Sequence, residues 1–403
     1  TRTPAHLHTC TPARPNTMND TLGTFLCPTR IHMGRNAHEK LEEALRGFAA
    51  ERVFVVADAA VVDGELMQRV RAILARCGAR TDTFTEVEPD PSAHTVERAF
   101  AACRALDAQL VLAVGGGSTM DVAKAVAILA TNGGRIHDYE GIEKFATRPL
   151  PRIAIPTTAG TGSEVSGSCV ITDTERGLKM SIRHAALNPA DVALLDPLAV
   201  ATLPAHVAAH AGMDAFVHAF ESYLSLNANP ITDALNLHAL ELLSANLRPF
   251  TANRRNTDAA LAMLCGSTLA GMTFGITGLG NVHCMARFVG ATFHVSHGLS
   301  NAICLPHVAR FNLAANPARY ARVAAAMGCH VDGLPVLEAA AATIEAIDAL
   351  CDDLGIPARL SDIGGTPEHY PEMARLCVEA GYNRWNPRHT VFEDFLKLFE
   401  DAH

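Results

Sequence analysis

Two patterns of apolar and polar positions divide the chain. Up to about position 196, short apolar runs of strand length alternate with stretches of helical periodicity. The predicted strands are 52–57, 81–84, 108–114, 153–155 and 192–195, and a helix is predicted over 67–77. Strands that alternate with helices predict an α/β fold with a parallel, doubly wound sheet.

The pattern changes after Pro197. Long stretches rich in Ala and Leu follow, with few β-branched runs, and they predict an all-helical region that extends to the C-terminus. The expected boundary lies near Val200. The sequence therefore predicts two domains, 18–200 and 201–403, behind a flexible tail at 1–17 that is rich in Pro, Thr and His.

Composition excludes several classes of protein. A net charge of −9 argues against nucleic acid as a partner, and no run of eighteen apolar residues or signal-peptide core indicates a membrane span or secretion. Eleven cysteines without a Cys-x-x-Cys pair indicate no disulfide framework or zinc ribbon and favour a reducing compartment. We therefore expect a cytoplasmic globular protein.

The helical region carries a set of candidate metal ligands. Asp214 and His218 are four positions apart, so a helix presents both on one face, and His283 and His297 lie among small and apolar residues. A single histidine in such a setting is more often a hydrogen-bonded core residue. One carboxylate with three imidazoles, however, is typical of a catalytic metal site that keeps an open position.

Two segments of the α/β region are candidates for binding a phosphate-containing cofactor. Gly115, Gly116, Gly117 and Ser118 follow a strand and precede the helix that contains Asp121, where glycines let the backbone approach a pyrophosphate. The second segment, 157–164, also follows a strand and is dense in hydroxyls and glycines. Each segment has an alternative interpretation, as a tight turn or as a turn with a helix cap.

Four motifs in this order resemble the iron-containing (group III) alcohol dehydrogenases. They are GGGSTMDVAKA at 115–125, PTTAGTGSEVS at 156–166, GMDAFVHAFESYLS at 212–225 and VHCMARFVGATFHVSHGLSNAICLPHV at 282–308. The resemblance runs from about Pro28 to about Leu398. It implies an NAD-binding N-terminal domain and a helical domain in which Asp214, His218, His283 and His297 hold a divalent iron, with zinc suited to the same donors.

The resemblance also assigns cofactor contacts. It places Thr157 and Thr158 along the dinucleotide, with Thr161 in the part that borders the active cleft, and it lets Lys179 reach toward the cofactor. Asp58 would lie at the adenine ribose, where a carboxylate accepts hydrogen bonds from the hydroxyls and repels a 2′-phosphate, which favours NAD; its alternative role is a helix cap. Asp90 takes the place of a polar residue near the adenosine.

One position departs from the pattern of the family. Four residues after His283, most relatives carry a second histidine, whereas this chain has Arg287. An arginine keeps its proton and cannot shuttle it, but it can bind a carboxylate, phosphonate or sulfonate in a two-pronged contact. A salt-bridged or solvent-facing arginine is the alternative. The proton would then move through water and the cofactor ribose, or through His294.

The expected function is metal-dependent, NAD-linked hydride transfer on a small alcohol or aldehyde, with anionic substrates as candidates, in a homodimer. Within the same superfamily, the alternatives are an enzyme like dehydroquinate synthase, a zinc enzyme like glycerol dehydrogenase, and an enzyme like maleylacetate reductase. The HisGly pair at 297–298 favours the dehydrogenases. A binding protein with a structural metal is the alternative outside catalysis.

The Asp58 assignment generates a prediction about cofactor choice. Replacing Asp58 with Gly or Ser removes the charge that repels a 2′-phosphate, so the ratio of NADP to NAD use should rise. Steady-state kinetics with both cofactors measure that ratio. A native enzyme that already prefers NADP would contradict the assignment.

Overall fold

The computed structural model of the chain describes residues 23–403, and the predicted tail at 1–17 lies outside them. The strands are β1 (Arg30–Met33), β2 (Arg52–Ala57), β3 (Arg80–Phe84), β4 (Leu110–Gly115), β5 (Gly141–Ile142), β6 (Arg152–Pro156), β7 (Ser168–Asp173), β8 (Leu178–Arg183) and β9 (Val192–Leu195). The helices of the first half are α1 (Lys40–Phe48), α2 (Glu65–Arg76), α3 (Ala93–Leu106) and α4 (Gly117–Asn132).

After β9 the described chain forms only helices, joined by turns and short 3-10 segments. They are α5 (Ala205–Leu224), α6 (Pro230–Ala252), α7 (Thr257–Thr277), α8 (Asn281–Phe293), α9 (His297–Leu313), α10 (Pro317–Ala326), α11 (Val336–Asp353), α12 (Tyr370–Glu379) and α13 (Phe392–Asp401). The predicted domain boundary near Val200 falls between β9 and α5. The predicted fold class, a doubly wound α/β region followed by an all-helical region, is confirmed.

Six strands form a parallel sheet in the order β1-β9-β6-β4-β2-β3. Side chains of β2 alternate between its two faces: Val53 and Val55 pack with α1 and α2, whereas Phe54 and Val56 pack with α3 and α4. Both faces are thus covered by helices, which explains why the strand is an unbroken apolar run. The strand order reverses between β2 and β4, and in such sheets the crevice at the reversal is the usual place for a ligand.

The predicted strands 52–57 and 192–195 match β2 and β9 residue for residue, and the other predicted elements are displaced by one to two residues. The prediction missed β1 and the small three-stranded sheet of β5, β7 and β8. β1, β5 and β7 lie at sheet edges; β1 has no fully buried residue, and β7 alternates partly buried with fully buried positions. Their apolar content is therefore too low for a buried-strand signal.

The helical region is built around α5. Fifteen of its twenty residues are buried, and it packs against α6, α7 and α9. Among the described helices, α7 alone is long and apolar enough to span a membrane, with a mean hydropathy of 1.6 over its most apolar window, 56% of which is buried inside the fold. Its apolar surface is thus used largely in packing against α5 and α6.

The two regions meet where the loop after β6 packs on α7. Gly162 has a φ of +57° and lies so close to Gly271 that a Cβ on either glycine would fall within 2.9 Å of backbone atoms of the other. Gly271 is buried in α7, so the loop backbone cannot retreat into solvent. The close approach requires glycine at both positions.

This contact generates a prediction with a control on the same helix. In Gly271→Ala the new methyl group overlaps Gly162 and Val165, so the variant should be destabilised by about 1–3 kcal/mol. In Gly275→Ala the methyl group meets no atom within 4 Å and should stabilise the helix by about 0.5–1 kcal/mol. Urea denaturation measures both. Equal stabilities of the two variants would contradict the close approach.

Candidate active site

Three helices bring the predicted metal ligands together. Asp214 and His218 lie on α5, His283 on the first turn of α8, and His297 at the start of α9. One Asp214 oxygen, Oδ1, lies 3.7 Å from His283 Nε2 and 3.6 Å from His297 Nε2. Donor atoms of these three residues all lie within 4.8 Å of one another. His218 adjoins the group, with Nδ1 3.9 Å from Asp214 Oδ2.

The donor atoms of this cluster fit a divalent cation. The Nδ1 atom of His218 and the Nε2 atom of His283 are buried without a hydrogen-bond partner among the described residues. An unsatisfied buried polar atom costs about 1–3 kcal/mol. A cation shared with the Asp214 carboxylate would give both nitrogens a partner, and 46% of the His297 side chain is exposed, which leaves the cluster open on one side.

Charges within the cluster favour a cation. Burial would raise the pKa of Asp214, but the surrounding imidazoles, His218 foremost, hold it well below its usual range. Burial would lower the pKa of His283, yet the neighbouring carboxylates of Asp214 and Glu221 raise it to about 9. Burial lowers the pKa of His218 to about 3, which keeps that imidazole neutral and its lone pair available as a ligand.

Two side chains outside the predicted set hold the ligands in place. Glu221 Oε2 accepts from His283 Nδ1 at 2.7 Å, and Glu221 Oε1 accepts from the backbone N–H of Val282 at 2.6 Å at the N-terminus of α8. Asn301 Nδ2 donates to Asp214 Oδ1 at 2.8 Å. A carboxylate on the far nitrogen of a ligating imidazole fixes the ring and raises its basicity.

Sequence reasoning missed these two residues although their spacing offers a signal. Glu221 lies three residues after His218, on the helix face that carries Asp214 and His218. Asn301 lies one helical turn after His297. Polar residues that repeat with the ligands on one buried helix face are candidates for such supporting positions.

The two predicted cofactor-binding segments and Asp58 meet at one edge of the large sheet. Ala57 pairs with Val114, and Gly115 pairs with Pro156, so Asp58, Gly116 and Thr157 follow the carboxyl ends of three neighbouring strands. This edge is the crevice at the reversal of strand order.

The glycine segment also packs closely against the threonines. A Cβ on Gly116 would lie 3.3 Å from Thr158, and one on Gly117 would lie 2.8 Å from Thr161. The α4 helix begins at Gly117, with Ser118 as its second residue. Backbone N–H groups of this helix N-terminus are therefore available to an anion beside the threonine hydroxyls.

The structure gives other partners to two residues predicted to contact the cofactor. The Asp121 carboxylate accepts from Ser163 Oγ at 3.1 Å and from the backbone N–H of Val170 at 3.0 Å, so it braces the loop after β6. Asp58 caps a turn, because its Oδ1 accepts from the Ala60 N–H at 2.9 Å. The cap uses one oxygen of Asp58, and the second oxygen is left for a ribose hydroxyl.

Asp90 and Lys179 form an ion pair with a distance of 2.6 Å between Oδ1 and Nζ. Burial lowers the pKa of His297, and the charges of Lys179 and Asp90 act on the same imidazole in opposite directions. The ion pair gives both residues a partner in the structure, and their contacts with a cofactor stay predictions.

Arg287 and His294 lie on and just after α8. Arg287 is exposed and lies one helical turn after His283. His294 is exposed in the turn before α9, with a φ of +54°. The structure thus places both residues beside the ligand-bearing turns, and their roles stay predictions.

Comparison with known proteins identifies the family. A model described as iron-containing alcohol dehydrogenase matches residues 28–197, and one described as the Fe-containing alcohol dehydrogenase family, C-terminal, matches residues 208–403. The chain therefore belongs to the iron-containing alcohol dehydrogenase family, as predicted, and is an alcohol oxidoreductase.

Relatives match over nearly the whole length. The 1,3-propanediol dehydrogenase of Klebsiella pneumoniae is 38% identical over 382 residues, which cover 94% of this chain and 98% of that protein. The solved structure of a 1,3-propanediol oxidoreductase has a TM-score of 0.92 at 36% identity and covers 95% of this chain and 100% of that one. Sulfoacetaldehyde reductase from Bifidobacterium kashiwanohense in complex with NAD+ has a TM-score of 0.85 at 27% identity, with coverages of 95% and 99%.

The Glu221 contact generates a prediction about metal affinity. In Glu221→Gln the carboxylate that orients His283 is lost, so affinity for the metal should fall by about 10–100-fold. Competition with a chromophoric chelator measures the affinity. Glu241→Gln is the control, because Glu241 is exposed on α6 and pairs with His238. Unchanged affinity in Glu221→Gln would show that the hydrogen bond does not orient the ligand.

Proposed function

We propose that the chain is a metal-dependent, NAD-linked alcohol dehydrogenase that also reduces aldehydes, with its active site between the sheet edge and the helical region. The observation that carries the proposal is the contact of the two candidate sites. Gly160, in the loop that contains Thr158 and Thr161, lies so close to α5 that a Cβ on it would fall 3.0 Å from Ala211, three residues before Asp214 on the same helix. A cofactor along these threonines would therefore extend toward the metal ligands.

We propose Asp214, His218, His283 and His297 as the ligands of Fe²⁺, the ion in the name of the family, with Zn²⁺ suited to the same nitrogen and oxygen donors. NAD follows from the crevice and from the relative solved with NAD+. A metal held by these residues would act as a Lewis acid that lowers the pKa of an alcohol hydroxyl or polarises a carbonyl. NAD, when bound, would accept the hydride from the carbinol carbon in oxidation, and the hydroxyl proton would go to solvent.

The chain contributes alignment to this reaction. The glycine segment and α4 hold the cofactor phosphates, Asp58 binds the ribose, and the threonine loop guides the dinucleotide to the cluster. Glu221 and Asn301 fix the orientation of two ligands before substrate binds. Arg287 cannot relay a proton, so we assign proton transfer either to water and the cofactor ribose or to His294.

We also propose a cytoplasmic homodimer. The ten described cysteines are all free, which suits a reducing compartment. The outer edge of β1 pairs with no strand among residues 23–403, and such an edge is a template for a partner's strand. Light scattering on the purified protein measures the oligomeric state.

The proposed ligand set generates the central prediction. In His283→Ala and His297→Ala a ligand is lost, so bound metal and NAD-linked oxidation of 1,3-propanediol should both fall by at least tenfold. Elemental analysis and NADH absorbance measure the two quantities. His238→Ala is the control, because that histidine is exposed on α6.

Full metal occupancy in either variant would remove that residue from the site. Metal bound without NADH formation on any of a panel of alcohols would instead favour a binding protein with a structural metal. Loading the metal-free enzyme with Fe²⁺ or Zn²⁺ distinguishes the two ions by the activity each restores.

A further inference from the structure

The helix that carries His283 begins without a cap of its own. The residue before α8 is Gly280, which has no side chain to accept from the first backbone N–H groups of the helix. These groups lie in the interior of the fold, because Asn281, Val282 and His283 are at most 4% exposed. Buried backbone N–H groups need a partner, so acceptors from elsewhere in the chain have to supply one.

Two distant side chains supply these acceptors. The Glu221 carboxylate accepts from the second and third N–H groups of the helix, at 2.6 Å and 3.3 Å. The first N–H, that of Asn281, donates to Asn386 Oδ1 at 3.3 Å. Asn386 is 1% exposed and lies in the segment 380–391 between α12 and α13, which we call the C-terminal loop. The first turn of α8 is thus capped jointly from α5 and from the C-terminal loop.

Hydrogen bonds fix the orientation of the Asn386 amide. Its Nδ2 donates to Asn312 Oδ1 at 2.8 Å and to the Arg388 carbonyl at 2.7 Å. In return, Asn312 Nδ2 donates to Asn386 Oδ1 at 2.9 Å. Asn312 is 3% exposed in the last turn of α9. Because both amides are paired with each other, the oxygen of Asn386 is held as an acceptor for α8.

Gly280 lies between the two capping side chains. A Cβ on this residue would fall 2.9 Å from Asn386 Oδ1 and 2.9 Å from Glu221 Oε1. Two residues earlier, a Cβ on Gly278 would fall 2.3 Å from the ring of Trp385, the neighbour of Asn386. The C-terminal loop therefore packs directly on the turn that leads into α8.

We infer that Asn386 is a positioning residue for the proposed metal ligand His283. His283 is the third residue of α8, and its Nε2 lies 3.7 Å from Asp214 Oδ1. A displacement of the first turn of α8 would move this imidazole relative to the Asp214 carboxylate. Metal affinity depends on ligands that are held in place before the ion binds. The inference rests on the proposed function, because it takes His283 as a ligand.

The test measures binding of Co²⁺ to the metal-free enzyme by visible absorption, which responds to the ligands of the ion and to their geometry. In Asn386→Ala the N–H of Asn281 loses its acceptor, so the dissociation constant should rise about 2–10-fold, which corresponds to one hydrogen bond. In Asn386→Asp the carboxylate still accepts from Asn281, although it can no longer donate to the loop or to α9. Since Asn and Asp cap helices about equally well, this variant should stay within about twofold of native.

Thr343→Val is the matched control for a loss of stability. Thr343 Oγ1 is buried on α11 and donates to the Tyr320 carbonyl of α10 at 2.6 Å. Its removal should lower the midpoint of urea denaturation and leave the dissociation constant for Co²⁺ unchanged. An equal rise of the constant in Thr343→Val and in Asn386→Ala would show that general stability, and not the cap, controls metal binding.

Hydrogen–deuterium exchange gives a readout that needs no metal. In metal-free Asn386→Ala, the first turn of α8 lacks one of its acceptors, so peptides that cover 280–284 should exchange faster than in native enzyme and in Asn386→Asp. Unchanged exchange would overturn the inference. Faster exchange with an unchanged dissociation constant for Co²⁺ would overturn it as well, because the helix end would then move without effect on the ligand.

His283→Ala separates failure of the inference from failure of the proposed function. If His283→Ala loses Co²⁺ while Asn386→Ala binds it as native enzyme does, the proposed ligand set stands and the role of Asn386 is refuted. If His283→Ala binds Co²⁺ as tightly as native enzyme, the proposed ligand set fails, and the role of Asn386 in metal binding fails with it.

Discussion

The arrangement of the helical region depends on the burial of one carboxylate among imidazoles. Asp214 is 3% exposed in the middle of α5, the most buried long helix of the fold. A charge in that position is costly unless it is paired and hydrogen-bonded. Three histidines and Asn301 supply the pairing, and α8 and α9 must therefore both begin where they do to bring His283 and His297 close to the same oxygen.

Glu221 connects the buried cluster to the packing of α8. Its carboxylate orients His283 and also accepts from the N-terminal backbone of α8, so one side chain positions both the ligand and the helix that carries it. A negative charge at a helix N-terminus is favoured by the helix dipole. The metal site and the packing of α8 on α5 are consequently one structure, and a loss at Glu221 would affect both.

The cofactor side is joined to this cluster by small residues. A Cβ on Gly160 would meet Ala211 of α5 at 3.0 Å, and Gly162 touches Gly271 of α7. Side chains at these positions would hold the loop after β6 away from the helices. Glycine here sets the distance between the crevice at the sheet edge and the candidate metal ligands.

Much of the fold and of the candidate site was predictable from the sequence. The features that were not predictable have physical causes. The buried strands 52–57 and 192–195 are continuous apolar runs that no competing pattern obscures, whereas the edge strand β1 has too few apolar residues to be recognised. Helical spacing pointed to Asp214 and His218 as candidate ligands, and the structure brings them together on one face of α5. Glu221 and Asn301 were not predicted, because a carboxylate or an amide on a helix is far more often exposed to solvent than hydrogen-bonded to a buried histidine or aspartate.

Asp121 and Asp90 show a further limit. Spacing places both near the crevice, yet a local sequence carries no information about which distant group a carboxylate meets. Asp121 meets Ser163 and Val170 across 42 and 49 residues, and Asp90 meets Lys179 across 89. Arg287 is the converse case: among the described residues it forms no ion pair, and the local sequence does not show whether an arginine finds a carboxylate partner from a distant part of the chain.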